Sequence, residues 1–249
     1  MSETGSVQSV ERVFLIIEAM CKENESSVTG LSRATGLNKT TVFRFLNTLL
    51  SLGYVVKNEQ NETYSLTLKF LRISSRKLST YDIQKQMKPA LSALSKDCGE
   101  TVHLVERNGA KVVYIDKFES DTNSVRMVSR IGMSLDIFTT AVGKAMLSNL
   151  SDEEIKDLWD SHTHNKKTEY TITALEDFFS EIEEIRKCGY AVDNEENELE
   201  VRCVAVALPD AYGQYRYAVS VSAPKNRMDD ETVKRTAQKL LALSQSILT

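Results

Sequence analysis

The 249-residue sequence predicts an α+β protein of two parts: three helices with a small hairpin, then a larger body around an antiparallel sheet. Apolar residues recur at helical spacing through much of residues 9–52, whereas short strand-like runs alternate with helical segments after residue 100. Charge is also divided, because residues 1–78 carry 10 Lys and Arg against 7 Asp and Glu, and residues 79–249 carry 21 against 28.

One stretch of the basic part lacks acidic residues altogether. Residues 26–58 contain no Asp or Glu, although the chain has 35 of them, and they include Arg33, Lys39, Arg44 and Lys57. Because a carboxylate repels phosphate, a surface without carboxylates suits a polyanion. A basic head on an acidic body therefore indicates a DNA-contacting module joined to a domain that does not touch DNA.

Two helices joined by a tight turn are predicted within this stretch. The first covers Gly30–Thr35 after a Thr29 cap, and Gly36 supplies the turn because glycine adopts positive φ without a steric penalty. Asn38 caps the second helix, which runs to about Leu52. The apolar residues of this helix that are predicted to face inward are Val42, Leu46, Leu49 and Leu50. An earlier helix, capped by Ser9, is predicted from apolar residues at helical spacing: Val10, Val13, Phe14, Ile17 and Met20.

Two short strands, Tyr54–Val56 and Thr63–Leu66, complete a winged helix-turn-helix over residues 1–66, with the motif itself at about residues 28–47. Such a motif places its second helix in the major groove, where its N-terminal residues reach base edges. Arg44 is the candidate for a bidentate guanine contact. The alternative is a helical packing unit with a solvated polar face. The residues predicted to contact DNA are Thr29, Asn38, Lys39, Thr40, Thr41, Phe43, Arg44, Asn47, Lys57 and Asn58.

A linker helix over residues 67–80 is predicted to lead into a second domain over residues 81–249. Asn108-Gly109 is a hairpin signal between two apolar runs, and Ser151 with Glu154 forms a capping box. The predicted strands of this domain are Thr101–Glu106, Lys111–Phe118, Ser124–Ser129, Val201–Leu208 and Tyr217–Ala223. Its predicted helices are a segment that ends at Asp97, Thr140–Leu150, Asp152–Ser161, a helix capped by Thr173 and Asp229–Leu248.

The residues of the second domain leave several kinds of chemistry open. Asp193-Asn194-Glu195-Glu196 is either a solvated acidic loop or an acid–base pair, and the loop is the simpler interpretation. Cys203 within an apolar run is either a core residue or a thiol that needs a histidine partner. A zinc site at His162 and His164 is the least favoured of these possibilities. Gly143-Lys144 lacks the spacing of a phosphate-binding loop.

Other features narrow the class of protein. No apolar run approaches the length of about 18 residues that a membrane span requires, and the N-terminus has no apolar secretory segment. The four cysteines form no CxxC pair, which favours reduced thiols in a cytoplasm over disulfides or structural zinc. We therefore expect a cytoplasmic protein without a cofactor or a metal.

Several segments in fixed order resemble the IclR family of bacterial transcription regulators. The resemblance covers nearly the whole chain and is carried by the motifs SVERVFLIIEAM, LSRATGLNKTTVFRFLNTLLSLGYV, TYSLTLKFL, TTAVGKAML, GYAVDNEE, VRCVAVAL and VSVSAP. The wing and the DNEE segment are most similar to the KdgR-like branch, which responds to 2-keto-3-deoxygluconate. The resemblance implies a GAF-like effector-binding domain after the winged helix-turn-helix, and assembly as homodimers or as dimers of dimers.

The resemblance also implies an effector pocket. It places Asp193 and Cys203 in this pocket, and so it favours a functional role over a solvated loop for Asp193 and over a core position for Cys203. Backbone N–H groups at the start of the helix at Thr140 are expected to bind a carboxylate. The family usually has Pro-Leu-His at Asp136-Ile137-Phe138, Gly at Glu200 and Pro at Ala207. The implied pocket residues are Met127, Leu135, Ala141, Val142, Asp193, Cys203, Ser220 and Ser222.

The expected function is therefore that of a non-enzymatic regulator. It binds a palindromic double-stranded DNA operator as a symmetric oligomer and represses genes of sugar-acid catabolism until a small carboxylated metabolite binds. An activator that responds to an aromatic or short keto acid is an alternative. An enzyme built on the second domain, and a constitutive DNA-binding protein whose second domain only oligomerises, are the two other classes.

Overall fold

The computed structural model describes residues 7–23, 25–78, 82–120, 127–210 and 212–247. The chain forms two compact units, Met1–Thr80 and Tyr81–Thr249. Each unit has its own buried core. None of the helices among the described residues combines the length and the apolar character that crossing a membrane requires.

The N-terminal unit combines four helices with a three-stranded antiparallel sheet in the order β1-β3-β2. The short strand β1 was not predicted; Ser26 pairs with Tyr64 of β3, which adds a third strand to the wing. Strand β2 also extends further than the sequence indicated, because Lys57 and Asn58 lie within it rather than in a turn. The elements are α1 (Gln8–Met20), β1 (Ser26–Ser27), α2 (Val28–Thr35), α3 (Lys39–Ser51), β2 (Val55–Asn58), β3 (Thr63–Leu66) and α4 (Lys69–Leu78).

The turn between α2 and α3 has the predicted geometry. Gly36 ends α2 in the left-handed region with φ 71°, and the Asn38 side chain caps α3 by accepting a hydrogen bond from Thr41 N at 2.8 Å. Two other predicted caps were wrong. Ser27, not Thr29, caps α2 by accepting from Gly30 N, and α1 begins before Ser9 without a side-chain cap.

The core of the N-terminal unit forms where α1, α2 and α3 meet. Of the residues predicted to face inward, Val42, Leu46 and Leu49 are buried, together with Ile16, Met20, Leu31, Val55 and Tyr64. One of these predictions was wrong, because Leu50 is 38% exposed. Among the apolar residues at helical spacing in α1, Val10 and Phe14 are also exposed, at 52% and 57%.

The C-terminal unit contains a six-stranded antiparallel sheet in the order β6-β5-β4-β9-β8-β7. One face packs against α6 and α8, around Phe138, Met146 and Phe178. The other packs against α5 and α9, around Leu91, Val204 and Leu240. The elements are α5 (Asp82–Cys98), β4 (Thr101–Asn108), β5 (Lys111–Phe118), β6 (Ser134–Asp136), α6 (Ala141–Leu147), α7 (Asp152–Asp160), α8 (Leu175–Cys188), β7 (Ala191–Asn194), β8 (Val201–Leu208), β9 (Tyr217–Pro224) and α9 (Asp230–Ile247).

Several element predictions for the second unit were wrong. Residues 127–129 are not a strand and residues 124–126 lie outside the described part; the strand that pairs with β5 on the side away from β4 is Ser134–Asp136. Strand β7 was missed, although it pairs with β8 and forms one edge of the sheet. Helix α6 ends at Leu147, three residues before the predicted end, and α8 has no side-chain cap at Thr173.

Candidate functional site

The exposed side of α3 carries four of the nine polar residues that were predicted to contact DNA. Lys39, Thr40, Arg44 and Asn47 are exposed, and Phe43 is 47% exposed beside them. Thr41 is half-buried, and its N–H donates to the Asn38 cap. The opposite face packs into the core through Val42, Leu46 and Leu49. Helix α3 therefore presents a cationic, hydroxyl-rich surface on a firmly packed element.

The wing residues already have protein partners. Lys57 Nζ lies 3.0 Å from Glu59 and 2.8 Å from Glu62, and hydrogen bonds to these carboxylates raise the pKa of Lys57. Asn58 Oδ1 accepts from Gln60 N at 3.0 Å. Thr29, in α2, is exposed and does not cap this helix. DNA contacts by Lys57 would therefore compete with the two wing carboxylates, whereas those of α3 would not.

A cavity of about 80 Å³ lies in the C-terminal unit between the sheet and the start of α6. It brings together all eight residues that the sequence placed in an effector pocket: Met127, Leu135, Ala141, Val142, Asp193, Cys203, Ser220 and Ser222. Nine further lining residues were missed by the sequence: His103, Tyr114, Val128, Ser129, Met133, Thr140, Asn197, Glu198 and Val201.

Strand register places the polar floor of this cavity. Asp193 of β7 lies opposite Cys203 of β8, and Cys203 lies opposite Ser222 of β9. Ser220 in turn lies opposite His103 of β4. Because alternate residues of a strand share a face, these five side chains converge. The alternation of side chains along β4 could have indicated that His103 is a cavity residue. This required knowing that β4 lies beside β9, which the sequence does not state.

Asp193 is a buried carboxylate, not a member of a solvated acidic loop. It is 4% exposed, and its Oδ1 accepts from Glu196 N at 2.8 Å and Asn197 N at 3.3 Å. Burial, reinforced by the charge of Glu196, raises the pKa of Asp193 to about 7. The interpretation of residues 193–196 as a solvated acidic loop was therefore wrong for Asp193, Glu195 and Glu196, because all three are buried.

A buried ion network lies behind Asp193. Lys144 of α6 is fully buried, and its Nζ donates to Glu196 at 2.5 Å and Glu181 at 2.8 Å. Burial opposes its charge, but the two carboxylates outweigh this effect and hold the pKa of Lys144 above its ordinary value. Lys144 therefore serves two acidic partners and fixes α6 to the segment that contains Glu196.

Burial also favours the uncharged forms of His103 and Cys203, which line the cavity. Burial, with the nearby charge of Lys117, lowers the pKa of His103 to about 3, and its Nε2 lies 2.7 Å from Ser129 Oγ. Burial raises the pKa of the Cys203 thiol, which disfavours the thiolate that a nucleophile requires. Within the described ranges, no group of three or more potential metal ligands is present.

The start of α6 closes one side of the cavity. Thr140 caps this helix by accepting from Gly143 N at 3.2 Å, and its hydroxyl donates to the Asp136 carbonyl at 3.0 Å. Asp136 and Phe138 do not line the cavity. The Asp136 carboxylate lies 2.5 Å from His162 Nε2, and Phe138 packs edge-on against Trp159 and Phe178. Asp136 and Phe138, which differ from the residues that the family resemblance implies, therefore contribute to the packing around the start of α6 and not to the cavity lining.

A winged helix-turn-helix together with a second unit that encloses a small polar cavity defines a DNA-binding regulator with a sensor domain. Residues 9–59 match the IclR helix-turn-helix domain, and residues 75–249 match the bacterial transcriptional regulator IclR C-terminal domain. The chain belongs to the IclR family of bacterial transcriptional regulators.

Individual relatives agree with this assignment. The HTH-type transcriptional regulator KdgR of Escherichia coli is 36% identical over 98% of this chain and 93% of its own length. The DNA-binding transcriptional repressor YiaJ of the same organism is 35% identical over 96% of this chain and 86% of its own. The crystal structure of Thermotoga maritima IclR superposes with a TM-score of 0.80 at 30% identity, covering 97% of this chain and 98% of that one. These relatives are named as regulators, not as enzymes.

Proposed function

We propose that the protein represses genes of sugar-acid catabolism, and that a small carboxylated metabolite such as 2-keto-3-deoxygluconate releases it from DNA. The observation that carries this proposal is the cavity, in which Asp193, Cys203, Ser220 and Ser222 converge at the start of α6. The similarity to KdgR, and to a relative named as a repressor, supports the sugar-acid class and the sign of regulation.

The cavity suits a small, hydroxylated acid. Ser220, Ser222, Tyr114 and His103 offer hydrogen bonds to hydroxyl and carbonyl groups, and Met127, Met133 and Leu135 supply an apolar wall. The first N–H groups of a helix lack intrahelical acceptors, so Ala141 and Val142 can donate to a carboxylate. A volume of about 80 Å³ admits a small metabolite rather than a peptide or nucleotide.

The DNA-binding half of the proposal depends on α3. The exposed residues Lys39, Thr40 and Arg44 of this helix lie within residues 26–58, the acid-free stretch. This stretch therefore contains no carboxylate that would repel a phosphate group. The N-terminal residues of a recognition helix reach base edges in the major groove. We assign base recognition to Arg44 and phosphate contacts to Lys39 and the threonine hydroxyls, on a palindromic operator.

A palindromic operator requires a symmetric oligomer, and α1 offers a surface for one. Val7, Val10 and Phe14 are more than half exposed and recur at helical spacing. Leu68, Leu71 and Ile73, at the start of α4, are also more than half exposed. Contiguous exposed apolar residues of this kind mark association surfaces, and we propose that a second copy covers them.

The test joins the two halves of the proposal. DNA is first selected from a random-sequence pool with the purified protein, and release of the selected DNA is followed by fluorescence anisotropy as sugar acids and keto acids are added. An effector at 100 times its dissociation constant should also stabilise the protein by about 2.7 kcal/mol in a thermal-shift assay. Release by a sugar acid supports the proposal, whereas tighter DNA binding in its presence contradicts release by the effector.

Asp193→Ala provides the matched variant for this experiment. It should bind the selected DNA with unchanged affinity, because Asp193 belongs to the C-terminal unit. It should lose the response to the acid that releases the wild-type protein, because a polar group of the cavity floor is removed. A normal response of this variant would mean that the effector binds elsewhere.

A further inference from the structure

The charges around the cavity pose a problem for any ligand that is an anion. Asp193 and Glu198 are its acidic lining residues, and the described lining contains no Lys or Arg. Its histidine, His103, is held neutral by burial, which lowers its pKa to about 3. A carboxylate that enters this space therefore meets a second carboxylate at Asp193 without a cation between the two.

Two lysines close to the cavity, Lys117 and Lys144, are already engaged. Lys117 Nζ donates to the carbonyls of Met127 at 2.8 Å and Ser129 at 2.9 Å, and it pairs with Glu119 at 2.8 Å. Lys144 serves both Glu196 and Glu181, so its single charge is shared between two carboxylates. Neither ammonium group is part of the described cavity lining, so neither offers its charge to a ligand there.

The hydrogen bonds of Asp193 leave one oxygen suitable for a proton. Both backbone donors, Glu196 N and Asn197 N, bond to Oδ1. A proton on Oδ2 can then be donated to a ligand oxygen while Oδ1 keeps its two bonds. The titratable groups that face Asp193 are Cys203 on β8, Lys144 on α6, Tyr114 on β5, His103 on β4, and Glu196 and Glu198 on its own loop.

We propose that the cavity binds a carboxylate effector together with one proton, and that Asp193 carries this proton in the complex. Two carboxylates that share a poorly solvated site retain one proton, because two adjacent negative charges cannot both be accommodated there. The proton converts Asp193 from a group that repels the ligand into a donor. This inference rests on the proposed function, and it adds that the effector response depends on pH.

The direction of the dependence follows from linkage. The pKa of Asp193 in the free protein is raised to about 7, and a bound carboxylate raises it further. Below that pH Asp193 is already protonated, so affinity should change little. Above it each binding event takes up a proton, so the affinity should fall toward tenfold per pH unit. Asp193→Asn, which resembles the protonated form, should bind the acid with little dependence on pH.

The experiment is a calorimetric titration of 2-keto-3-deoxygluconate, and of any other acid found by thermal shift, between about pH 6 and pH 9. Two buffers of different ionisation enthalpy give the number of protons taken up. We expect one proton at the high-pH end for the wild type and none for Asp193→Asn. Glu198→Gln is the matched control, because it removes the exposed carboxylate of the same cavity and should retain the linkage. Affinity of the wild type that is independent of pH, or loss of all binding in Asp193→Asn, would overturn the inference.

A second measurement needs no ligand. The infrared difference spectrum between the wild type and Asp193→Asn at about pH 6 should contain the carbonyl stretch of a protonated carboxylic acid. Absence of this band would overturn the inference independently of the titrations. If the band is present and no sugar acid or keto acid binds at any pH, the proposed effector class fails and the protonation of Asp193 still stands.

Discussion

Two cations of the acid-free stretch, Arg44 and Lys57, lie in different electrostatic surroundings. Arg44 is exposed on α3, whereas Lys57 is paired with Glu59 and Glu62. Such pairs at a surface are weak, but they must be broken before Lys57 can contact phosphate. For the proposed recognition role, single-residue electrostatics therefore favours α3 over the wing.

Arg44→Ala tests this assignment. Loss of a bidentate guanine contact should weaken binding to the selected DNA by about 1–3 kcal/mol and relax the preference at one base pair. Lys39→Ala should instead weaken binding to all sequences alike and reduce the salt dependence by about one unit of slope. Both are measured by anisotropy titrations at several salt concentrations. Equal loss on specific and random DNA in Arg44→Ala would contradict a base contact.

Glu200 gives a second residue-scale prediction. Its φ is 62°, in the left-handed region, and its backbone is held by hydrogen bonds to Glu195 Oε2 and from Lys225 N. The left-handed region costs a non-glycine residue about 1–2 kcal/mol, which gives a physical reason for the Gly that the family resemblance implies at this position. After the greater freedom of glycine in the unfolded chain is counted, Glu200→Gly should raise the free energy of unfolding by up to about 1 kcal/mol.

Urea unfolding measures this change, and Glu198→Gly is its control. Glu198 is exposed in the same loop and does not have positive φ, so glycine there should lower the free energy of unfolding by about 0.5–1 kcal/mol. A decrease in both variants would show that the backbone at Glu200 is not strained.

At the scale of elements, helix α6 depends on a close approach that the sequence signals only as a glycine. A Cβ on Gly143 would overlap the carbonyl oxygen of Ile137 and lie 2.7 Å from Ile137 Cα. The motif TTAVGK therefore contains Gly143 because the chain before α6 passes directly against this helix. The position of α6 fixes Ala141 and Val142 at the cavity.

Gly143→Ala should therefore displace α6 and destabilise the C-terminal unit by about 1–3 kcal/mol or more, since the clash is with backbone. Effector binding should weaken with it. Gly30→Ala is the control, because its nearest neighbour would be Ser27 Oγ at 3.4 Å, an ordinary contact, and alanine favours a helix. Thermal denaturation measures both, and a Gly143→Ala protein as stable as the wild type would show that the chain at Ile137 yields easily.

For the whole molecule, regulation requires that the effector bind the DNA-competent and DNA-incompetent states with different affinity. Each unit has its own buried core; the chain that joins the two units offers one route for this coupling, and the proposed oligomer offers a second. Apolar residues that the core of one chain leaves exposed on α1 and α4 are the physical basis for the second route.

Phe14→Glu tests the oligomer. Phe14 is 57% exposed, so the charge should leave the fold of one chain intact while it opposes burial against a second copy. Sedimentation analysis should show a shift toward monomer, and DNA affinity should fall because a palindrome needs paired heads. Tyr212→Glu, at a site 91% exposed in the other unit, should leave the assembly unchanged. An unaltered oligomer in Phe14→Glu would exclude α1 from the interface.

The sequence by itself determined the features that arise from local rules. The acid-free stretch, the Gly36 turn, the Asn38 cap and the Ser151 capping box are local in the chain, and the structure has the turn and caps as predicted. The fold class and the family also followed from the sequence, because binary patterns and motif order persist along the chain. Assignment of the DNA-contacting residues remains a prediction.

Tertiary structure decided what depends on partners far apart in sequence. Only the strand order β4-β9-β8-β7 brings His103 beside Ser220 and Asp193 beside Cys203. Only the packing shows that Asp193 is buried and that Phe14 is exposed. The spacing of apolar and charged residues along the chain does not specify which neighbours cover each side chain. Burial sets the charge of Asp193 and His103, so the chemistry of the cavity follows from the fold rather than from residue type.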